Sequence, residues 1–222
     1  MTILRQQRFQ WRLIAPLPAF AALLLAPGLA IHWGFLPFEY RIPALLLVSV
    51  LCIALCLLAG FSVAELGLSR PSDISHWLFC AAITAGIAAI MVAQTRFLTF
   101  DHKPPVWLSF APFYVLVSSP CQEVVCRSIP KLMTDRLQVR PWTYVIYSAA
   151  VFSLIHIAYG DNVLLLNTFL VGIVWGFAYL RMRNIWPVIL SHAAIGTLAF
   201  SLGLPDSDLP EPSDRIRRRS CS

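Results

Sequence analysis

The chain has 222 residues, of which 58% are hydrophobic and only 13% charged, with a formal net charge of +6. That balance argues against an ordinary water-soluble domain. Much of the Lys and Arg lies between long apolar blocks, where it orients a membrane protein and argues against nucleic-acid binding. No helix-turn-helix, zinc-finger or RNA-binding signature is present, nor a Gly-rich phosphate loop.

Taken in order, residues 1–12 carry Arg5, Arg8 and Arg12 and precede a first block from Leu13 to about Pro37. This block is long for a signal core and predicts an uncleaved helix softened by Pro16, Pro18 and Pro27. The second block, Ile42 to Ala64, meets helix-stop signals at Gly67 and Pro71. The third runs from Trp77 to Leu98, and Asp101 to Pro105 forms a polar turn. Region four, Val106 to Leu137, exceeds the roughly 20 residues that a span needs. Pro112 and Pro120 each lack a backbone donor and are expected to divide it. Trp142 to Tyr159, Val163 to Leu180 and Ile185 to Leu204 complete the set.

The expected architecture is an all-α, polytopic membrane helix bundle of about seven transmembrane helices over residues 1–204. A polar tail follows over 205–222, read as disordered. Inner segments hold Arg5, Arg8, Arg12, Arg70, Arg127, Lys131, Arg136, Arg140, Arg181 and Arg183, whereas outer loops hold only Arg41, Arg96 and Lys103. This asymmetry predicts a cytoplasmic amino terminus. The six cysteines (Cys52, Cys56, Cys80, Cys121, Cys126 and Cys221) form neither a disulfide framework nor paired zinc-ligand motifs.

Three short patterns carry chemistry. Glu123 is the only acidic residue between Asp101 and Asp135, and Arg127 follows it by one helical turn. An ionisable residue in hydrocarbon is costly and calls for a partner. Gln122 and Cys126 form the neighbouring one-turn pair. Phe152 precedes His156 by one turn, so its ring can wall off the imidazole. His192 lies in a late apolar block, with Gly196 one turn beyond. Each alone has a structural reading: an ion pair, a histidine bonded to a carbonyl across helices, a packed phenylalanine. Together they predict one polar site between helices four, five and seven.

This ordered set resembles the CAAX-protease and bacteriocin-processing (CPBP) family of intramembrane peptidases, whose motifs read Glu-Glu-x-x-x-Arg, Phe-x-x-x-His and His-x-x-x-Asn. They fall on Gln122 to Arg127, on Phe152 to His156 and on His192 to Gly196. The stretches Leu66-Gly67-Leu68-Ser69-Arg70, Gly176 to Arg181 and Asn184-Ile185-Trp186-Pro187 are also family-like. The resemblance implies metal-independent hydrolysis of a membrane-associated peptide or protein. It also implies a first glutamate as general base and an asparagine that polarises the scissile carbonyl. Here those two positions hold Gln122 and Gly196, while Glu123, Arg127, His156 and His192 match.

Several mechanisms follow. In the leading one, Glu123 and His156 activate water, His192 donates to the oxyanion, and Arg127 keeps Glu123 ionised. Neighbouring helix positions differ by about 100°, so this needs a local twist near Pro120. A depth argument adds that region four should begin its span between Pro112 and Pro120, with residues 106–112 shallow or looped back. In the second, the chain is a non-catalytic relative that binds membrane proteins as a chaperone, regulator or immunity-type factor. In the third, Cys126 or Cys121 is a nucleophile acting on a sorting signal. A proton-coupled transporter is the remaining class. No cofactor is expected; a zinc ion on Glu123, His156 and His192 is disfavoured by the absence of a His-Glu-x-x-His helix. The expected partners are the lipid bilayer and a membrane-associated substrate, with no nucleic acid. The compact size suits a bacterial plasma (inner) membrane.

Overall fold

The computed structural model describes residues 16–68, 73–97 and 105–204. The amino-terminal arginines, Arg70, the polar turn before Pro105, the tail and Cys221 lie outside the described residues. Among those described there are seven helices and no strand. They are α1 (Pro16–His32), α2 (Arg41–Leu58), α3 (Ile74–Gln94), α4 (residues 107–136), α5 (Pro141–Leu154), α6 (Asn162–Met182) and α7 (Trp186–Ser201). Short 3-10 turns at Phe38–Tyr40 and Ile157–Tyr159 precede α2 and follow α5.

The number agrees with the sequence reading, but the capacity to span does not extend to every helix. Among the described residues, four segments are long and apolar enough to cross a membrane: Phe38–Leu58, Ile74–Gln94, Pro141–Tyr159 and Asn162–Met182. Leu17–His32 and Trp186–Ser201 are apolar but shorter. The boundaries follow local chemistry. The Asp73 side chain accepts a hydrogen bond from the Ser75 amide, and that of Asp161 accepts from the amides of Val163 and Leu164, so both cap their helices. The second block ends earlier than expected, at Leu58, where Gly60 turns the chain at φ 86°. Gly67 has another use: its carbonyl accepts from the Ile185 amide at 3.1 Å, and a side chain there would run into Tyr179.

The prolines of region four do not divide it. Helix α4 is continuous from Trp107 to Arg136 and carries two wide π turns, Tyr114–Ser118 and Val124–Ser128. Each π turn ends two residues before a proline, Pro120 and Pro130. A proline has no N–H to offer the carbonyl four residues back, and its ring crowds that carbonyl. Taking one extra residue into the turn relieves the crowding without ending the helix. For Pro130 the orphaned carbonyl is that of Cys126, and the Ser148 hydroxyl of α5 donates to it at 2.6 Å. Such repair is what a low-dielectric surrounding demands of a free backbone group.

The bundle buries a set of polar side chains within an apolar core and exposes large apolar ones. Ser49, Ser119, Gln122, Glu123, Arg127, Ser148, Ser191 and His192 are buried, while Leu47, Leu58, Leu78 and Ile90 face outward. Small residues let α5 and α6 come close: a Cβ on Gly172 would lie 3.0 Å from the Ala149 Cα.

Candidate active site

The two π turns set the orientation of α4. Phe110, Tyr114, Ser118 and Gln122, spaced every four residues, all face one cavity of about 540 Å³. In an unbroken α-helix a four-residue stripe drifts round the axis; the π turn within it counters that drift. His156, Trp175, His192 and Gly196 line the same cavity, as does Cys121.

Glu123, next to Gln122, points elsewhere and does not line the cavity. It is fully buried, and its Oε1 lies 2.8 Å from Nδ1 of His192 on α7. Its Oε2 lies 3.3 Å from Arg127 Nε, an ion pair whose angle falls short of a hydrogen bond. Arg127 is fully buried too. Its Nη1 donates to the Ser148 hydroxyl at 2.8 Å and to the Ser148 carbonyl at 3.1 Å. Its guanidinium carbon sits 4.6 Å from the centre of the Phe152 ring. A buried guanidinium thus has a carboxylate, two oxygen acceptors and a π face, the combination that makes a charge tolerable in an apolar bundle.

Phe152 is the hub of the arrangement. His156 and His192 both meet its ring edge-on, at 5.0 and 5.3 Å between centroids, and Trp175 does so at 5.7 Å. Trp175 tilts against His192 at 4.8 Å, and its indole N–H donates to the Ser191 hydroxyl at 2.9 Å. The Thr84 hydroxyl of α3 donates to the same oxygen at 2.7 Å. His156 lies just past the end of α5, and its Nδ1 is 2.8 Å from the Phe152 carbonyl. A carbonyl can only accept, so Nδ1 carries the proton there. Nε2 is then the nitrogen left to the cavity that the residue lines.

His192 has both nitrogens occupied. Glu123 takes Nδ1, and the Tyr114 hydroxyl lies 3.1 Å from Nε2. Gln122 donates from Nε2 to the Ser118 hydroxyl at 2.9 Å, while its Oε1 has no hydrogen-bond partner among the described residues. Cys126, expected to share the face of Gln122, is fully buried and off the cavity wall because the second π turn begins between them. Among the described residues no group of three or more His, Cys, Asp or Glu side chains is arranged to hold a metal ion.

Glu123, Arg127, Phe152 and His192 therefore meet directly, and His156 joins them through Phe152. Sequence reasoning missed Tyr114, Ser148 and Trp175. The first had a signal, the four-residue stripe running from Phe110 to Gln122. Ser148 and Trp175 had none, since only helix packing brings them in. Residues 104–198 match the family model described as type II CAAX prenyl endopeptidase Rce1-like. No curated protein and no solved structure matches the chain. The matched stretch contains all three motifs and every residue that meets at Phe152, and over it the chain is similar to the CAAX-protease (CPBP) family of intramembrane endopeptidases.

Proposed function

We propose that the chain is an intramembrane endopeptidase that takes an extended segment of a membrane-associated peptide or protein into the cavity, with His156 as general base. One observation carries this reading. His156 commits Nδ1 to the Phe152 carbonyl and keeps Nε2 for the cavity wall that it shares with Gln122, Tyr114 and His192. A neutral imidazole fixed in this way can take a proton from water as it attacks a peptide carbonyl, and return it to the leaving amine. Glu123 then has a different role from water activation. With one oxygen on His192 and the other facing Arg127, it fixes the orientation of His192. Arg127 balances its charge. Gln122 can hold a water or a substrate amide but cannot accept a proton.

A second reading, a non-catalytic relative that holds membrane proteins, is favoured by the makeup of the wall. No carboxylate lines the cavity among the described residues, and Gln122 faces it where the family resemblance implies a base. We infer an amino terminus in the cytoplasm in either case, in a bacterial inner membrane. Arg127 and Lys131 no longer count toward that orientation, because both are buried. The exposed Arg136, Arg140, Arg181 and Arg183 still do.

The test is turnover of membrane-anchored fluorogenic peptides by purified protein. Loss of at least about 10² in rate in both His156→Ala and His156→Gln, within the range for a general base, supports the endopeptidase. Wild-type rates in His156→Ala sink the assignment of the base. An inert wild type that gains turnover as Gln122→Glu establishes the binding reading instead.

A further inference from the structure

We propose that Tyr114 is the group that donates to the oxyanion, its hydroxyl held at the cavity wall by the relay Glu123–His192. The chemistry rests on the endopeptidase reading above; the placement of the hydroxyl does not.

Three observations converge on it. First, His192 has no nitrogen left for a substrate. Nδ1 is bound to the fully buried Glu123 at 2.8 Å, and Nε2 meets the Tyr114 hydroxyl at 3.1 Å. Nδ1 donates to the Glu123 carboxyl group, which leaves Nε2 to hold the phenol hydrogen at rest; a hydroxyl hydrogen rotates about its C–O bond, so it can turn from Nε2 to an oxyanion formed in the cavity that Tyr114 lines.

Second, Gly196 is glycine where nothing in the backbone asks for one. It sits inside α7 and is not among the glycines with positive φ. A Cβ built there would overlap the Tyr114 hydroxyl and ring. The phenol thus occupies the space that a side chain at 196 would fill, and it brings a donor to that spot from a different helix.

Third, the phenol is clamped. Its ring stacks on Phe110 at 5.2 Å and meets Phe200 edge-on at 5.7 Å. Donors fixed before the reaction need no reorganisation during it, which is the condition under which such hydrogen bonds are most effective.

The step balances without a further reagent. The water oxygen bonds to the carbonyl carbon, and the C=O π pair moves to oxygen, where the Tyr114 O–H donates a hydrogen bond and keeps its proton. His156 Nε2 takes the proton of the water. The oxyanion pair then re-forms C=O, the C–N bond breaks with its pair going to nitrogen, and the proton on His156 passes to the leaving amine, so that the new end is a carboxylic acid.

Two measurements test the proposal. In kinetics, Tyr114→Phe should lower kcat by about 10²–10³ with KM little changed, the loss expected for one oxyanion donor. Gly196→Ala should lose as much, because its methyl group takes the place of the hydroxyl. Tyr114→Ala/Gly196→Asn should recover at least tenfold over Tyr114→Ala, because an amide donor then enters the vacated space. In binding, a peptide phosphinate with a tetrahedral oxyanion should bind Tyr114→Phe at least tenfold more weakly than wild type, while the parent amide peptide binds both within about twofold. An inert wild type that still shows this phosphinate preference removes the base assignment and leaves the donor standing. Equal phosphinate affinity in wild type, Tyr114→Phe and Gly196→Ala overturns the donor, whether or not the protein turns over.

Discussion

Glu123 Oε1 and His192 Nδ1 lie 2.8 Å apart, joining α4 to α7 across 69 residues of sequence. Both side chains are buried, while Gln122, one residue before Glu123, faces the cavity. Helix α4 therefore sends one of two neighbours to a histidine inside the bundle and the other to the cavity wall.

Removing the carboxylate alone should be costly. Glu123→Gln leaves Arg127 buried without its counter-charge, and breaking such a pair costs about 3–5 kcal/mol. Replacing both partners, Glu123→Leu with Arg127→Met, should cost less than the single change, because no uncompensated charge remains and the loss is limited to about 1–3 kcal/mol for the His192 Nδ1 left without its acceptor. Thermal unfolding in detergent reads both. If the single change costs no more than the double, the pair is not coupled as the contact implies.

Restoring a carboxylate at the wall should act on rate and leave the fold intact. Gln122→Glu places a carboxylate on the cavity wall that His156 also lines, and general-base contributions run to about 10²–10⁴. An increase of at least tenfold in initial rate is expected, with Gln122→Ala giving none. No gain from Gln122→Glu would mean that position 122 does not reach the attacking water.

The structure gives the two cysteines of the thiol mechanism opposite accessibility. Cys121 lines the cavity and is partly exposed, whereas Cys126 is fully buried. A small maleimide should label Cys121 at least tenfold faster than Cys126 in native protein, since access limits thiol reactivity. Cys126→Ala should leave turnover within about twofold. Abolished turnover would bring the nucleophilic cysteine back.

The opposite end of the bundle carries a pH-dependent clasp. Asp135 ion-pairs with Lys131, and Arg183 donates to its Oδ2 at 2.7 Å. Partial burial pushes its carboxyl up, but the hydrogen bonds and charges of Lys131 and Arg183 outweigh that and hold it below the ordinary 3.8. A carboxyl lowered in the folded state stabilises above its ordinary value, and the contribution is lost as pH falls through the folded one. Asp135 is 41% exposed, so the effect should be about 0.5–1 kcal/mol. The gap in melting temperature between wild type and Asp135→Asn should be full near pH 7 and close below about pH 4. A gap that persists at pH 3 would contradict the ion-pair account.

Much of the site was legible because its chemistry is exceptional for its surroundings. A charge in an apolar block stands out, and so do two histidines within further blocks. The pairing of Glu123 with Arg127 follows from one-turn spacing, as does the contact of Phe152 with His156. What spacing could not give was which of Gln122 and Glu123 faces the cavity. That depends on how far α4 is wound, and Pro120 and Pro130 alter the winding without ending the helix. Reading those prolines as divisions missed the two π turns, and one-turn spacing without them put Cys126 on the face of Gln122.

The sequence by itself determined the class of the molecule, its seven helices and the residues able to do chemistry, because hydropathy and ionisable groups are local properties. Only the tertiary structure decided how they are placed. It turned Glu123 toward His192 and Gln122 toward the cavity, and it stood the Tyr114 phenol in the space that Gly196 leaves open. Those outcomes depend on helix phase and on packing between segments roughly 70 to 80 residues apart, which no local pattern encodes.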